Sequence, residues 1–254
     1  MSFLDELVDS DFVKISRSSD LDHFRSIEGL GEANSIPIDC RDFAASFASL
    51  RLKTCTIYLQ RTFPRILQMQ YSTSGAIVGL MMEDAASLTL NGMEARAPAF
   101  LLVKGRAKCE IVEQQANLVA LINFKSVDDR GWPGESDRAQ VIATDSGKLE
   151  TLRTTLHDVL MLASHSPDTL VQPDVIASIE ESILQAADLA MAAALPVSEA
   201  RRLSLSHYLS LVRKFDEFVA TNAARTLYSA DVARQLGVSV RTLHNAVVAI
   251  RGMS

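Results

Sequence analysis

Three side chains suited to recognising nucleic-acid bases lie close together near the end of the chain. Arg241, His244 and Asn245 recur at three- and four-residue spacing, so they share one face if this segment is helical. An arginine can donate to two acceptors of a guanine, and an asparagine can bond in two places to an adenine. The face therefore indicates hydrogen bonding to base edges, with an ordinary surface position as the open alternative for His244.

Two short helices within residues 228–252 must position these side chains. Ser229 can cap the first helix, Gly237 follows where a helix end and a turn are expected, and Ser239 can cap the second. The apolar residues of the second helix recur at helical spacing opposite the polar face: Leu243, Val247 and Ile250. This pattern indicates a helix-turn-helix. An amphipathic pair that only packs into a core is the alternative.

The charge of the chain is unevenly distributed. The formal net charge is −6. Residues 201–254 contain eight basic and three acidic residues, which gives +5, so that the first 200 residues carry −11. A basic C-terminal segment on an acidic body predicts a polyanion as the partner of that segment, unless the clustering arises by chance.

Composition excludes several classes of protein. A length of 254 residues predicts two domains, and no apolar run approaches the roughly 20 residues of a membrane span. The N-terminus is acidic and therefore unlike a secretory signal, so we expect a cytoplasmic location and no membrane partner. The odd number of widely spaced cysteines predicts buried free thiols rather than a disulfide or metal site. They are Cys40, Cys55 and Cys109.

Residues 36–124 have the character of short strands. Asn91-Gly92 between short apolar runs is the strongest hairpin signal, and strands without intervening helices favour an antiparallel barrel or sandwich. Residues 1–35 are predicted to be irregular or a short helix. Six residues are candidates to face the barrel interior, either around a ligand or as ordinary core: Tyr58, Phe63, Met69, Tyr71, Met81 and Phe100.

Histidines are absent from this predicted barrel. All five lie outside it, at positions 23, 157, 165, 207 and 244. Metal-dependent barrel enzymes take two or three imidazoles from their strands, so we expect no metal site, no cofactor and no enzymatic activity.

The remaining segments are predicted to be helical. Residues 126–146 look like a loop, in which Trp132 either packs against the domain edge or forms a lid. Residues 147–195 give two amphipathic helices. The first carries a leucine stripe, Leu152, Leu156 and Leu160, that suits packing within the chain or across a dimer. Residues 196–203 read as an interdomain linker. A further helix carries an apolar face formed by Leu209, Val212, Phe215 and Val219.

Residues 209–254 resemble the start of the DNA-binding domain of AraC/XylS-type bacterial transcriptional regulators. The resemblance rests on the supporting helix, on ADVARQLGVSVRTL at 230–243 and on the closing GMS. The upstream order of strands and helices agrees with that family's cupin-like sensor and dimerisation domain. The resemblance thus implies an α+β protein: a sensor and dimerisation domain over 1–195, a linker, and a partial DNA-binding domain over 204–254.

The resemblance also implies roles for residues and partners. Arg241, His244 and Asn245 would read bases in the major groove, while Ser239 and Thr242 would contact phosphates. The implied function is sequence-specific transcriptional regulation, with promoter DNA, a small effector, a homodimeric partner and RNA polymerase as binding partners.

The family's second helix-turn-helix would follow Ser254, so we expect a truncated or short form that binds DNA weakly and in a salt-dependent manner. The alternative is a ligand-binding or dimerisation protein that acts through protein partners without tight DNA binding.

Overall fold

The computed structural model describes residues 3–19, 31–39, 43–84, 86–127, 130–134, 137–194, 199–223 and 227–252. Cys40 and His23 lie outside these ranges. The strands are β1 (Val13–Ser18), β2 (Gly31–Pro37), β3 (Ala45–Arg51), β4 (Cys55–Arg61), β5 (Arg65–Met81), β6 (Ser87–Leu90), β7 (Met93–Arg96), β8 (Ala99–Glu113), β9 (Leu118–Phe124) and β10 (Arg138–Ala143). The helices are α1 (Phe3–Glu6), α2 (Ser146–His165), α3 (Pro173–Ala192), α4 (Glu199–Thr221), α5 (Ser229–Gln235) and α6 (Val240–Arg251), with a 3₁₀ helix over Pro167–Val171.

The strands form one antiparallel sheet that folds over itself. Its order is β1-β3-β4-β9-β5-β8-β6-β7, with β2 added to β5 and β10 to β8. β5 pairs with β2 through its first half and with β9 through its second, and the register shifts between Ser72 and Ala76. The two long strands β5 and β8 therefore belong to both halves of the sheet. We call the folded sheet, residues 13–143, the barrel.

The barrel extends beyond the predicted residues 36–124. β1 lies in the segment predicted to be irregular, and β10 lies in the segment predicted to be a loop. Both are short strands whose polar and charged residues obscure any alternation. Their existence depends on pairing with β3 and β8, which supply the backbone hydrogen bonds. Sequence patterns within a six-residue segment do not contain that information.

The predicted hairpin at Asn91-Gly92 is confirmed. β6 and β7 flank it in antiparallel register, and both turn residues have positive φ, 52° at Asn91 and 78° at Gly92. Glycine adopts this conformation freely and asparagine tolerates it, which explains why the pair marks tight hairpins. Asn91 also bonds to strand β8, because its N–H donates to the Glu110 carbonyl and its Oδ1 accepts from the Glu110 N–H, at 2.8 and 2.9 Å.

Two apolar clusters lie on opposite faces of the sheet. Inside the barrel, side chains from both halves of the sheet meet, including Met69, Tyr71 and Met81 from β5. On the outer face, Phe100 and the alternate residues of β4, β5 and β9 pack against α2 and α3. The predicted leucine stripe of α2 is fully buried there, which confirms packing within the chain.

The strand register corrects half of the predicted interior residues. Phe100 faces the helices, Phe63 packs with Phe43 and Ala45 in a separate small cluster, and Tyr58 is half-buried against Phe47. Because side chains alternate between faces, a register that is wrong by one residue moves a side chain to the other face. A small void of about 10 Å³ lies beside Met81, Leu88 and Leu101.

Trp132 packs against the domain edge, as the first of its two interpretations predicted. Its ring is 5% exposed and stands edge-on to Phe124, with ring centroids 5.1 Å apart. The indole Nε1 donates to Asp188 of α3 at 2.6 Å. None of the helices in the described segments is long and apolar enough to cross a membrane.

Candidate nucleic-acid interface

The last three helices share a core of their own. The buried residues of α4, α5 and α6 form one apolar cluster: Leu209, Leu211, Val212, Val232, Ala233, Leu243, Ala246 and Ile250. Phe215 packs on it half-buried, as predicted, whereas Val219, predicted for the same face, is half-buried outside this cluster. α4 begins at Glu199, which lies within the predicted linker 196–203, while residues 196–198 lie outside the described ranges. We call α4, α5, α6 and their connections the C-terminal unit.

The turn between α5 and α6 has the predicted geometry. Gly237 adopts φ +68°, its N–H donates to the Arg234 carbonyl at 3.1 Å, and the Val238 N–H donates to the Ala233 carbonyl at 2.9 Å. These two bonds end α5 in a Schellman arrangement, for which glycine is preferred because it has no Cβ. Ala233 is almost fully buried, as expected where two helices cross closely.

The predicted cap of α5 is wrong by one residue. Tyr228 occupies the N-cap position and makes no side-chain capping bond, while Ser229 is the first helical residue. Serine one position before an apolar repeat is compatible with either assignment, because capping depends on backbone dihedral angles that the residue type alone does not determine.

The predicted cap of α6 is confirmed. Ser239 is extended, with φ −75° and ψ 153°, and its Oγ accepts from the Thr242 N–H at 3.0 Å. The Ser239 and Thr242 hydroxyl oxygens lie 2.8 Å apart. α6 ends at Gly252, whose φ is +66° and whose N–H donates to the Val248 carbonyl at 2.8 Å. α6 is thus a helix with defined ends at both termini.

Replacing Ser239 with alanine should destabilise α6 by about 1 kcal/mol, because it removes the acceptor of the Thr242 N–H. Hydrogen exchange of the α6 amides measures this as faster opening. Ser229→Ala is the matched control, since Ser229 caps nothing and its replacement should leave the exchange of α5 and α6 amides nearly unchanged. Equal effects of the two substitutions would contradict the assigned caps.

The polar face of α6 is exposed, and the opposite face is buried. Arg241, His244 and Asn245 are exposed, whereas Leu243, Ala246 and Ile250 face α4 and α5. Val248 extends the exposed face by one turn and is 38% exposed. The structure therefore brings the three predicted base-reading side chains together on one accessible surface, with Ser239 and Thr242 at its N-terminal end.

Arg251 is a residue of this unit that the sequence interpretation missed. It ends α6 and is buried between the barrel and α4. Its Nε and Nη2 donate to the two carboxylate oxygens of Glu110 in β8 at 3.3 and 3.0 Å, and its Nη1 donates to Asp216 Oδ1 at 3.0 Å. Burial alone lowers the pKa of the guanidinium, but the hydrogen bonds with Asp216 and Glu110 outweigh burial, so the pKa of Arg251 is raised.

No local signal marks Arg251 as special. A basic residue in the last turn of a helix is ordinarily solvent-exposed and favourable near the helix C-terminus. Its partner Glu110 is 141 positions away in the sequence, so only the tertiary fold brings the two together.

Two open clefts lie on the surface of the described segments. One of about 380 Å³ lies between β2, β5, β8 and α4 and includes Gln68, Lys108 and Arg213 in its lining. The other, about 650 Å³, lies beside Trp132 and α3. Cys55 and Cys109 are free and buried, as predicted, and burial raises the pKa of both thiols to about 12.

Comparison with known proteins identifies the fold. No family model matches the sequence. The structure resembles the crystal structure of the AraC-like transcriptional activator CuxR with a TM-score of 0.53 and 14% identity, over 92% of this chain and 88% of that chain. Fatty acid-bound ToxT from Vibrio cholerae matches with a TM-score of 0.30 and 11% identity, over 79% of this chain and 74% of that one. The ethanolamine utilization protein EutQ from Salmonella typhimurium matches with a TM-score of 0.28 and 8% identity, over 46% of this chain and all of that one.

Proposed function

We propose that this chain, which has the α+β fold of the AraC-like regulators, is a sequence-specific DNA-binding transcriptional regulator. The observation that carries the proposal is the exposed face of α6, on which Arg241, His244 and Asn245 project from a helix fixed by its caps and packed on α4 and α5. A rigid, exposed polar helix face has the dimensions and donors that a major groove accepts. The charge of +5 over residues 201–254 supports the same partner.

We infer different roles for the side chains of this face. Arg241 and Asn245 can each make paired hydrogen bonds with one base, which discriminates that base from others. His244 lies beside Arg241, on the side away from Asn245, and completes the reading surface. Ser239 and Thr242 stand at the N-terminus of α6, where hydroxyl and backbone donors suit phosphate oxygens.

The barrel is proposed to sense a small effector, to mediate dimerisation, or both. The void beside Met81 is too small to hold a ligand, whereas the surface clefts beside α4 and beside Trp132 are large enough for a small effector. We further propose a homodimer, cytoplasmic action, promoter DNA as the target and RNA polymerase as a downstream partner, without a catalytic role. Among the described residues, no group of three or more histidine, cysteine, aspartate or glutamate side chains is placed to hold a metal ion.

Replacing Arg241 with alanine should cost about 1–3 kcal/mol at one base position and relax the sequence preference there, because a paired contact with one base is lost. Selection of binding sites from random-sequence duplex DNA, followed by titration of the selected site, measures both effects. Arg234→Ala is the matched control, since Arg234 is an exposed arginine of α5 outside this face. If Arg241→Ala kept the affinity and the preference, its base-reading role would be wrong.

The same selection separates the two candidate functions. A regulator enriches a defined sequence at low salt and loses affinity steeply as salt rises, because phosphate contacts release counterions. A ligand-binding or dimerisation protein that acts through protein partners enriches no sequence at either salt concentration.

A further inference from the structure

The contact between the C-terminal unit and the barrel is polar and centres on Arg251. Besides the Arg251–Glu110 bonds, three long hydrogen bonds connect described residues of the two parts: 3.5 Å from Gln68 to Asp216, 3.4 Å from Arg213 to the Lys108 carbonyl, and 3.5 Å from Thr89 to the Ile250 carbonyl. Among the described residues, no apolar cluster includes members of both parts. Polar contacts of this kind permit domains to separate.

Arg251 lies on the flank of the reading face. It follows His244 by seven residues, which at 100° per residue places the two side chains about 20° apart around the helix axis. The barrel therefore touches α6 two turns beyond His244, on the same side of the helix. For Arg251 to gain a phosphate contact, DNA docked on Arg241, His244 and Asn245 would have to pass its backbone beside this position.

Glu110 presents to Arg251 the geometry that a phosphate group would present. Two oxygens of one carboxylate accept from Nε and Nη2 of the guanidinium, an arrangement that arginine also forms with phosphate. Glu110 is 2% exposed. Its carboxylate also accepts a hydrogen bond from Gln68 Nε2 at 3.3 Å. Asp216 belongs to α4, so its bond with Arg251 remains when the C-terminal unit leaves the barrel.

We propose that Glu110 and a DNA phosphate compete for Arg251, so that the barrel-docked form restrains DNA binding and the released form gains one phosphate contact. This inference rests on the proposed function. In this arrangement the barrel inhibits DNA binding by α6 through the single carboxylate of Glu110.

The energetics of the contact suit a reversible restraint. A buried ion pair recovers little net free energy, because the desolvation of both charges offsets their attraction. On release, Glu110 becomes solvated at the barrel surface, and Arg251 keeps Asp216 as a partner. The competition requires that docking be weak enough for DNA to displace it.

The test compares three variants of the full chain: Glu110→Gln, Arg251→Gln and the control Glu94→Gln, whose carboxylate is exposed on the same barrel. Spin labels are attached to cysteines introduced by Lys53→Cys in the barrel and Gln235→Cys in α5, in a Cys40→Ser background. In the absence of DNA, they report the distance between the barrel and the C-terminal unit. Titration with a mixed-sequence duplex over a range of salt concentrations gives the affinity and its salt dependence. Circular dichroism verifies that each variant is folded.

We expect the distance to increase in Glu110→Gln and Arg251→Gln and to stay unchanged in Glu94→Gln. Glu110→Gln should bind DNA several-fold more tightly, and its slope of log affinity against log salt should steepen by about 0.9, the value for one added phosphate contact. Arg251→Gln should open without that steepening, because it lacks the guanidinium. Glu110→Asp, which keeps the charge on a shorter side chain, should give intermediate values.

Two results would overturn the competition. An unchanged distance in folded Glu110→Gln would show that Glu110 does not hold the unit, and an unchanged salt slope with wild-type DNA binding intact would show that Arg251 gains no phosphate. Absence of DNA binding in every form, with the distance still increasing in Glu110→Gln, would instead overturn the proposed function and the competition together.

Discussion

Trp132→Ala is expected to lower the free energy of unfolding by about 3–5 kcal/mol, among the larger costs of a single substitution. The indole fills the space between Phe124 of the barrel and α3, and its Nε1 donates to Asp188. Alanine would leave a cavity at the junction of two layers and remove that donor. Chemical denaturation followed by circular dichroism measures the loss, since the substitution removes the tryptophan fluorophore.

Trp132→Phe serves as the control. Phenylalanine keeps a ring beside Phe124 but loses the indole donor and part of the buried ring volume, so we expect a cost of about 1–2 kcal/mol, well below that of the alanine variant. Asp188 keeps Arg130 as a partner in that variant. A small loss in Trp132→Ala, comparable to that of the phenylalanine variant, would favour the rejected interpretation of Trp132 as a mobile lid.

Arg65→Met is expected to cost about 3–5 kcal/mol, because it leaves a buried carboxylate without its cationic partner. Arg65 Nε donates to Glu113 Oε2 at 2.8 Å, and both side chains are 2% exposed. Thr62 and Asn117 also donate to Glu113, at 2.7 and 3.3 Å, but they supply no charge. Denaturant titration of the variant measures the change.

The double variant Arg65→Met/Glu113→Gln distinguishes an unpaired charge from lost packing. Glutamine is neutral and retains an acceptor for Thr62, so the double variant should be more stable than Arg65→Met alone. Arg96→Met breaks an exposed ion pair with Glu94 and should cost less than about 1 kcal/mol. Additive losses in the double variant would mean that the Arg65 side chain stabilises by packing, including its contact with the Phe63 ring, rather than by charge.

Features of the fold that depend on a few neighbouring residues could be predicted from the sequence. The Asn91-Gly92 turn, the Gly237 turn and the Ser239 cap each arise from local backbone preferences. The polar face of α6 could also be predicted, because helical periodicity fixes which residues share a side.

Features that depend on distant partners could not be predicted. β1 and β10 exist because β3 and β8 pair with them, and the side on which Phe100 lies depends on the strand register. The burial of Arg251 depends on Glu110 of β8, which is 141 positions away in the sequence. The residues that surround Arg251 in the sequence do not indicate whether its side chain contacts water or a carboxylate.

The separate cores of the barrel and the C-terminal unit have a consequence for how such a chain can change over generations. Since the apolar clusters of the described residues do not mix, substitutions on the barrel surface away from α4 leave the packing of α4, α5 and α6 intact. Each half can therefore change its own surface independently, except at the cleft of about 380 Å³ that the barrel shares with α4. Only a few polar positions, Glu110 and Arg251 above all, tie the history of one half to that of the other.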